Sequence, residues 1–361
     1  MDREKQNRLS AEWAAYGDAL GFMTELADAG RVQYRIGVDR VEDTIAWRRK
    51  VGGYSGTSVE FPAGTYSDDT QLRLSTSRAI GGDGTFDVAA FAKVELTAWA
   101  NYSLGAGVGS KEAAANLART SATWYSNFFD TKRASYFAAG GNGAAMRVQP
   151  HAWAAPDLSN EGDILLDVFR NAVCTHGHPR GIVGACFHAY TLIFALREGR
   201  PARPPELNQI AESLWSLSDH VKRDGDLRLF WIGAWEEASG TTLDDAFNEV
   251  VAEIKDDLAL LHDYEGYSFA DAYPRILETI GALEPSSRGS GTKTAIVAAF
   301  AASLANTSDP RSELLIIINA LGSDTDSIAT MFGAIVGACT NSECNGAIQD
   351  RAYIRAEAAR L

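Results

Sequence analysis

Apolar residues return every three or four positions through much of the chain, the spacing that gives a helix one buried face. On that pattern helices are expected over 11–27, 72–80, 86–101, 111–128, 182–196, 294–304 and 328–338. Segments 207–221, 227–239, 243–261 and 264–283 read as helical or mixed, after a connection marked by Pro201, Pro204 and Pro205. The run 314–321 is apolar throughout, and periodicity alone fits a buried strand as well as a buried helix. From 28 to 65 the period is interrupted by Gly52-Gly53, Ser55-Gly56 and Pro62, which reads as a long loop carrying short elements. Its Trp47, Arg48, Arg49 and Tyr54 suit either the border of a ligand site or an ordinary surface.

Composition narrows the picture. A chain of 361 residues that is 46% hydrophobic and 22% charged has an ordinary globular balance, and 33 glycines with many alanines favour closely packed helices over a sheet sandwich. The formal charge of −14 argues against a nucleic-acid backbone as partner, because such binding needs a dense set of Lys and Arg. A local pocket for a small anion stays open. Cys174, Cys186, Cys339 and Cys344 are too few for a disulfide framework and suggest reduced thiols. Residues 1–10 are charged with no signal-type apolar core after them, and no run reaches the roughly 18 consecutive apolar residues of a membrane span. A cytoplasmic protein without membrane contact is expected.

Chemistry concentrates in two acidic stretches. Gly322-Ser323-Asp324-Thr325-Asp326-Ser327 precedes one expected helix, and Tyr66-Ser67-Asp68-Asp69-Thr70-Gln71 precedes another after the turn 61–64. Neighbouring carboxylates repel unless a cation or a proton lies between them, and an oxygen-only ligand set suits Mg²⁺, Mn²⁺ or Ca²⁺ better than Zn²⁺. The same residues also suit solvated helix N-caps. If the two helix starts meet, four aspartates and at least two hydroxyls converge, enough for two ions.

Three further stretches bear on a site. Gly17, Gly21 and Glu25 recur every four positions, so they share a helix face along which a second backbone can approach, with the carboxylate at its end. In 139–150, Gly140-Gly141-Asn142-Gly143 permits backbone N–H groups to converge on an anion, reinforced by the helix that follows; a plain turn fits too. In 174–181, Cys and His stand close together, but their spacing matches no zinc arrangement, and His188 on the apolar helix reads as core. The break 105–109 is glycine-rich without a preceding strand or a Lys-Ser/Thr ending, which excludes a P-loop. Arg288, in the polar turn 286–291, is a candidate phosphate contact or a solvent-exposed arginine.

Taken in order, Gly-Asp-x-x-Gly-x-x-x-Glu at 17–25, Ser-Asp-Asp-Thr at 67–70, Gly-Asn-Gly-Ala-Ala-Met-Arg at 141–147, Thr-His-x-x-Pro at 175–179 and Gly-Ser-Asp-Thr-Asp-Ser at 322–327 resemble the motifs of the ADP-ribosylglycohydrolase family. That resemblance implies an all-α orthogonal bundle of many helices, favours a helix at 314–321, and fits a single domain over 1–361, since the acidic clusters lie on both sides of Pro201. It implies two Mg²⁺ ions, with Mn²⁺ as the alternative, on Ser67, Asp68, Asp69, Asp324, Asp326 and Ser327. Glu25, Asp324 and Asp69 become the catalytic candidates, with Glu25 on a mobile flap. Asp68, Gly140, Gly141, Asn142, Gly143 and His176 become the substrate-binding ones. Ala139 and Gly140 depart from relatives that often carry a hydroxyl or aromatic there, with Tyr136 and Phe137 as substitutes. The expected activity is release of ADP-ribose from a modified protein or small molecule, including a target modified by an ADP-ribosylating toxin. A two-metal phosphohydrolase and a non-catalytic ADP-ribose-binding or structural protein are the alternatives.

Overall fold

In the computed structural model, which describes residues 1–52 and 55–361, the helix Arg3–Thr24 lies antiparallel on the helix Thr325–Gly337. Glycines on both partners set their separation. A Cβ at Gly17 would lie 2.4 Å from Ala329 O, and one at Gly21 would lie 2.4 Å from Asp326 Cα. From the other side, a Cβ at Gly333 would lie 2.4 Å from Trp13 O, and one at Gly337 would lie 2.7 Å from Leu9 O. At such contact distances no side chain fits, so backbone packs on backbone. Hydroxyls then bridge the pair: Ser10 Oγ donates to Ala334 O at 2.7 Å and Thr330 Oγ1 to Ala14 O at 3.0 Å.

Around this pair the chain is all-α, with the helices Glu161–Val173, Pro179–Glu198, Leu243–Leu261 and Gly291–Leu304 packed about one connected apolar core. Pro179–Glu198 is long and apolar enough to cross a membrane by length and composition, yet it is a core helix here, mostly buried among its neighbours. The run 314–321 resolves as the helix Pro310–Ile318 and its C-terminal turn. His188 is fully buried, as its place on the apolar helix predicts, with Nε2 2.9 Å from Gln149 Nε2. At the far end of the first helix, fully buried Glu12 gathers Arg8, Arg351 and Arg355, which ties down the helix Arg351–Arg360.

The structure fills in one expectation, the short elements of 28–65, and corrects two others. Residues 28–65 hold a helix, Ala29–Ile36, and an antiparallel hairpin of strands Trp47–Val51 and Thr57–Phe61, the only sheet among the described residues. Three consecutive basic residues, Arg48, Arg49 and Lys50, hide any strand alternation. What fixes the hairpin is tertiary: Trp47 and Phe61 pair across it, and Trp47 packs edge-on against Phe22 at 5.0 Å. Tyr54 lies outside the described residues. Second, the helix expected over 111–128 begins earlier, at Val108, and stops at Leu117; beyond it polar side chains organise the chain, with Ser126 Oγ accepting from Thr123 N and Asn127 Nδ2 donating back to Ala113 O in the helix and across to Cys174 O. Third, the segment after the glycine loop forms a single 3-10 turn, Ala145–Arg147, and then a short helix, Gln149–Ala154, so no long helix starts at the loop.

Gly333→Ala should therefore cost about 1–3 kcal/mol through overpacking. Gly233→Ala, in an exposed helix where a Cβ meets nothing within 4 Å, should instead stabilise by about 0.5–1 kcal/mol. Urea melts of both variants, compared by midpoint at constant slope, check the pair.

Candidate active site

The early acidic stretch starts the helix Asp68–Arg78, and its N-terminus is held by a residue from the first helix. Asp18, fully buried, accepts from Ser67 N at 2.8 Å, Thr70 N at 2.9 Å and Thr70 Oγ1 at 2.6 Å. Ser67 caps the same helix, its Oγ accepting from Asp69 N at 3.2 Å. Orphan amides are thus satisfied without Asp68 or Asp69, whose carboxylates remain for other work. A buried guanidinium stands behind them: Arg73 donates to Thr330 Oγ1 and Thr70 Oγ1, both at 2.7 Å.

The late stretch meets it across the glycine contact. Gly322 turns the chain at φ +93°, Thr325 Oγ1 donates to Gly21 O at 2.9 Å, and Leu26 N donates to Ser323 O at 3.3 Å. Asp324 stands at the N-cap position of Thr325–Gly337 but makes no capping bond; its Oδ2 accepts from Asn142 Nδ2 at 2.9 Å. Glu25 follows the first helix and takes the Arg49 guanidinium on Oε2 at 2.6 Å, while Arg35 donates to Glu25 O at 3.0 Å. Arg49 also lies over the Phe22 ring at 4.8 Å. The hairpin thereby reaches the site.

Carboxylate oxygens of Glu25, Asp324 and Asp326 lie within 4.8 Å of one another. Burial lifts the carboxyls of Asp68, Asp69 and Asp326 well above the usual range, and the nearby acids, Glu25 and Asp18 foremost, lift them further. Glu25 is lifted by burial and held back by Arg49. Asp69 Oδ2 is sealed from solvent with no hydrogen-bond partner among the described residues. Crowded hard oxygens, one of them an orphaned carboxylate oxygen, are what a divalent cation satisfies, so these residues fit one.

Above the acids lies a cavity of about 460 Å³, lined by Glu25, Asp68, Asp69, Asp324, Asp326 and Ser327, by Gly140 to Gly143, and by His176. The loop 139–143 is braced from behind by a second glycine turn: Asn142 N donates to Gly289 O at 2.9 Å and Gly291 N to Gly140 O at 3.0 Å. The anion cradle is narrower than the sequence suggests, since Gly140 N and Asn142 N are committed to Ala138 O and Gly289 O. The amides of Gly141 and Gly143 take no acceptor among the described residues. Beside Gly143 stands the ring of His176, which burial and the Arg147 charge push down to about 3, so it is neutral at ordinary pH.

Of the expected site residues only Ser67 stays out of the cavity wall, fully buried beneath Asp69. Tyr136 does not serve the ligand: it is fully buried and its hydroxyl donates to Val173 O at 2.8 Å. Phe137 and Arg288 also lie off this wall. Residues that were not anticipated do line it, namely Gly105, Gly107, Gly109, Ser110, Arg133 and Met146. The glycine-rich break carried the signal without a motif to name it: at Gly105, φ +87°, a Cβ would lie 2.9 Å from Phe22 and 3.2 Å from Asp68 Oδ1.

The ADP-ribosylglycohydrolase family model matches residues 13–345. A solved structure described as an "ADP-ribosylglycohydrolase-related protein complex" shares the fold with a TM-score of 0.60 at 18% sequence identity, covering 99% of this chain and 97% of that one.

Folding raises the Asp68, Asp69 and Asp326 carboxyls, so the native metal-free protein holds more protons than the unfolded chain, and its stability should decline as pH rises above the ordinary carboxylate range. Asp69→Asn removes one of the opposed charges and should raise Tm in chelator, while shrinking the Tm gain that Mg²⁺ or Mn²⁺ gives the wild type. Melts with and without chelator read both effects.

Proposed function

The chain belongs to the ADP-ribosylglycohydrolase family and is a hydrolase of ADP-ribose linkages, and from that premise we propose a divalent-cation-dependent release of ADP-ribose by cleavage of the glycosidic bond at the distal ribose. The observation that carries it is the convergence of Glu25, Asp324 and Asp326 at one end of the cavity whose wall is the glycine loop. Asp68, Asp69, Asp324, Asp326 and Ser327 would hold two ions, Mg²⁺ or Mn²⁺; the share of Ser67 rests on the resemblance of its motif alone. Bound there, such ions supply Lewis-acid chemistry, orienting ribose hydroxyls and acidifying a water.

The chain's own residues do the rest. Gly141 and Gly143 offer fixed amide dipoles to the pyrophosphate, which need no reorganisation as the bond breaks. Asn142 is a positioning residue, holding the Asp324 carboxylate. Hydrolysis forms a bond from water oxygen to the anomeric carbon, breaks the bond to the leaving N or O, and moves one proton from water to the leaving group through an oxocarbenium-like state. Three carboxylates are candidates for that proton. Asp324 has one oxygen committed to Asn142, and Asp69 has one sealed away. Glu25 likewise has Oε2 on Arg49 and one oxygen to spare on a residue of the cavity wall, and because its motif resembles the family's opening motif we assign it the proton work. An ADP-ribosylated protein or small molecule, including a target modified by a toxin, is the proposed substrate.

A panel of ADP-ribosylated arginine, serine and nucleic-acid substrates with Mg²⁺ or Mn²⁺ should yield free ADP-ribose. Release of phosphate or of a split pyrophosphate would instead make this a phosphohydrolase, and ligand binding without turnover would make it a reader. Glu25→Gln keeps shape without charge, so single-turnover rate should fall by about 10²-fold or more with ADP-ribose affinity nearly unchanged. Equal rates would retire Glu25.

A further inference from the structure

Arg147 is a fully buried guanidinium with no carboxylate in an ion pair with it among the described residues. It lies over the Phe91 ring at 5.2 Å and bonds only neutral oxygens: Nε on Asn171 Oδ1 at 2.8 Å, Nη2 on Asn171 O at 2.9 Å and on Thr175 Oγ1 at 2.8 Å, while Nη1 is buried without a partner among the described residues. A guanidinium only donates, so Thr175 Oγ1 must accept, and its own single proton has to go elsewhere. Two acceptors are near it. Ala172 O is 3.4 Å away, beyond a good O–H bond, and His176 Nδ1 is 2.7 Å away, at the ideal length.

We infer that Thr175, oriented by Arg147, is a positioning residue that donates its proton to His176 Nδ1, so that the ring carries its own proton on Nε2 and presents it to the ligand. Nε2 has no hydrogen-bond partner among the described residues, and the ring edge that bears it lies against Gly143, where a Cβ would be 3.1 Å from Cε1 and 3.3 Å from Nε2. The inference rests on the proposed ADP-ribose site for its ligand, a phosphate or ribose oxygen next to Gly143. The opposite tautomer would donate Nδ1–H to Thr175 and turn a bare lone pair toward that anion. Burial and the neighbouring Arg147 charge keep the ring neutral, so His176 is a fixed donor and takes no part in proton shuttling.

Ring ¹⁵N NMR of the ligand-free, metal-free wild type, with His176 assigned by the signals lost in His176→Gln, should find Nε2 protonated and Nδ1 bare, unchanged through neutral pH. Thr175→Val removes the hydroxyl and should shift the ring toward the Nδ1–H form and weaken ADP-ribose about tenfold, the size of one hydrogen bond. Thr175→Ser should restore both, with melts confirming that each variant is folded. A wild-type ring protonated on Nδ1, or a folded Thr175→Val with unchanged tautomer, overturns the inference. Since the tautomer is read without ligand, a protein that ignores ADP-ribose but shows the Nε2 proton would remove the functional reading and leave the relay standing.

Discussion

Everything at this site depends on how closely the first helix can approach the helix Thr325–Gly337. The two acidic stretches are separated by some 250 residues of chain, and nothing in their local sequence brings them together. Gly17 and Gly21 on one side and Gly333 and Gly337 on the other allow backbone contact at distances that any Cβ would prevent. That contact sets Asp326 beside Gly21 and brings Glu25 to the end of the groove. It also delivers Asp18 to the start of the Asp68 helix, where three hydrogen bonds fix the second acidic stretch in register.

The close approach has an electrostatic consequence. Carboxylates taken out of water into one another's field resist ionisation, and Arg73, Arg49 and Arg35 offset part of that cost. The fold keeps these cations at different distances from the acids. Arg73 is sealed behind them, whereas Arg49 reaches Glu25 from the hairpin. The geometry of the site is determined by glycine packing, and its crowded acids fit a divalent cation.

Much of this was readable in the chain. The acid clusters, the glycine loop and the Gly17, Gly21 face are local patterns that spacing brings out, but each also fits a plain turn, cap or packing surface until the motifs are taken together. His176 is reached through the family resemblance alone, and Glu25 lies just past the helix rather than on its face. Small residues favour packed helices over a sheet sandwich, and the all-α bundle itself rests on the resemblance. What was missed depends on long-range side-chain contacts: Asp18 capping another helix, Asn142 holding Asp324, Arg49 holding Glu25. A sequence gives such polar residues no visible partner. The hairpin was hidden for a related reason, since aromatic packing on Phe22 stabilises strands that their own basic residues disguise. Asp324 shows the reverse case: it occupies the position of an N-cap, which its sequence context permits, yet its carboxylate faces Asn142 and the cavity.

The order in which this site becomes available follows from the glycine stripe. During synthesis the first helix leaves the ribosome with a bare groove of backbone and with Glu12 lacking the arginines of the last helix. Its partner, Thr325–Gly337, and the helix Arg351–Arg360 emerge about 300 residues later. A contact of such high sequence separation forms late and slowly, and until then the groove is an exposed surface for any passing helix. The acidic site therefore depends on Thr325–Gly337 having been made, and no chain that stops short of that helix brings the two stretches together.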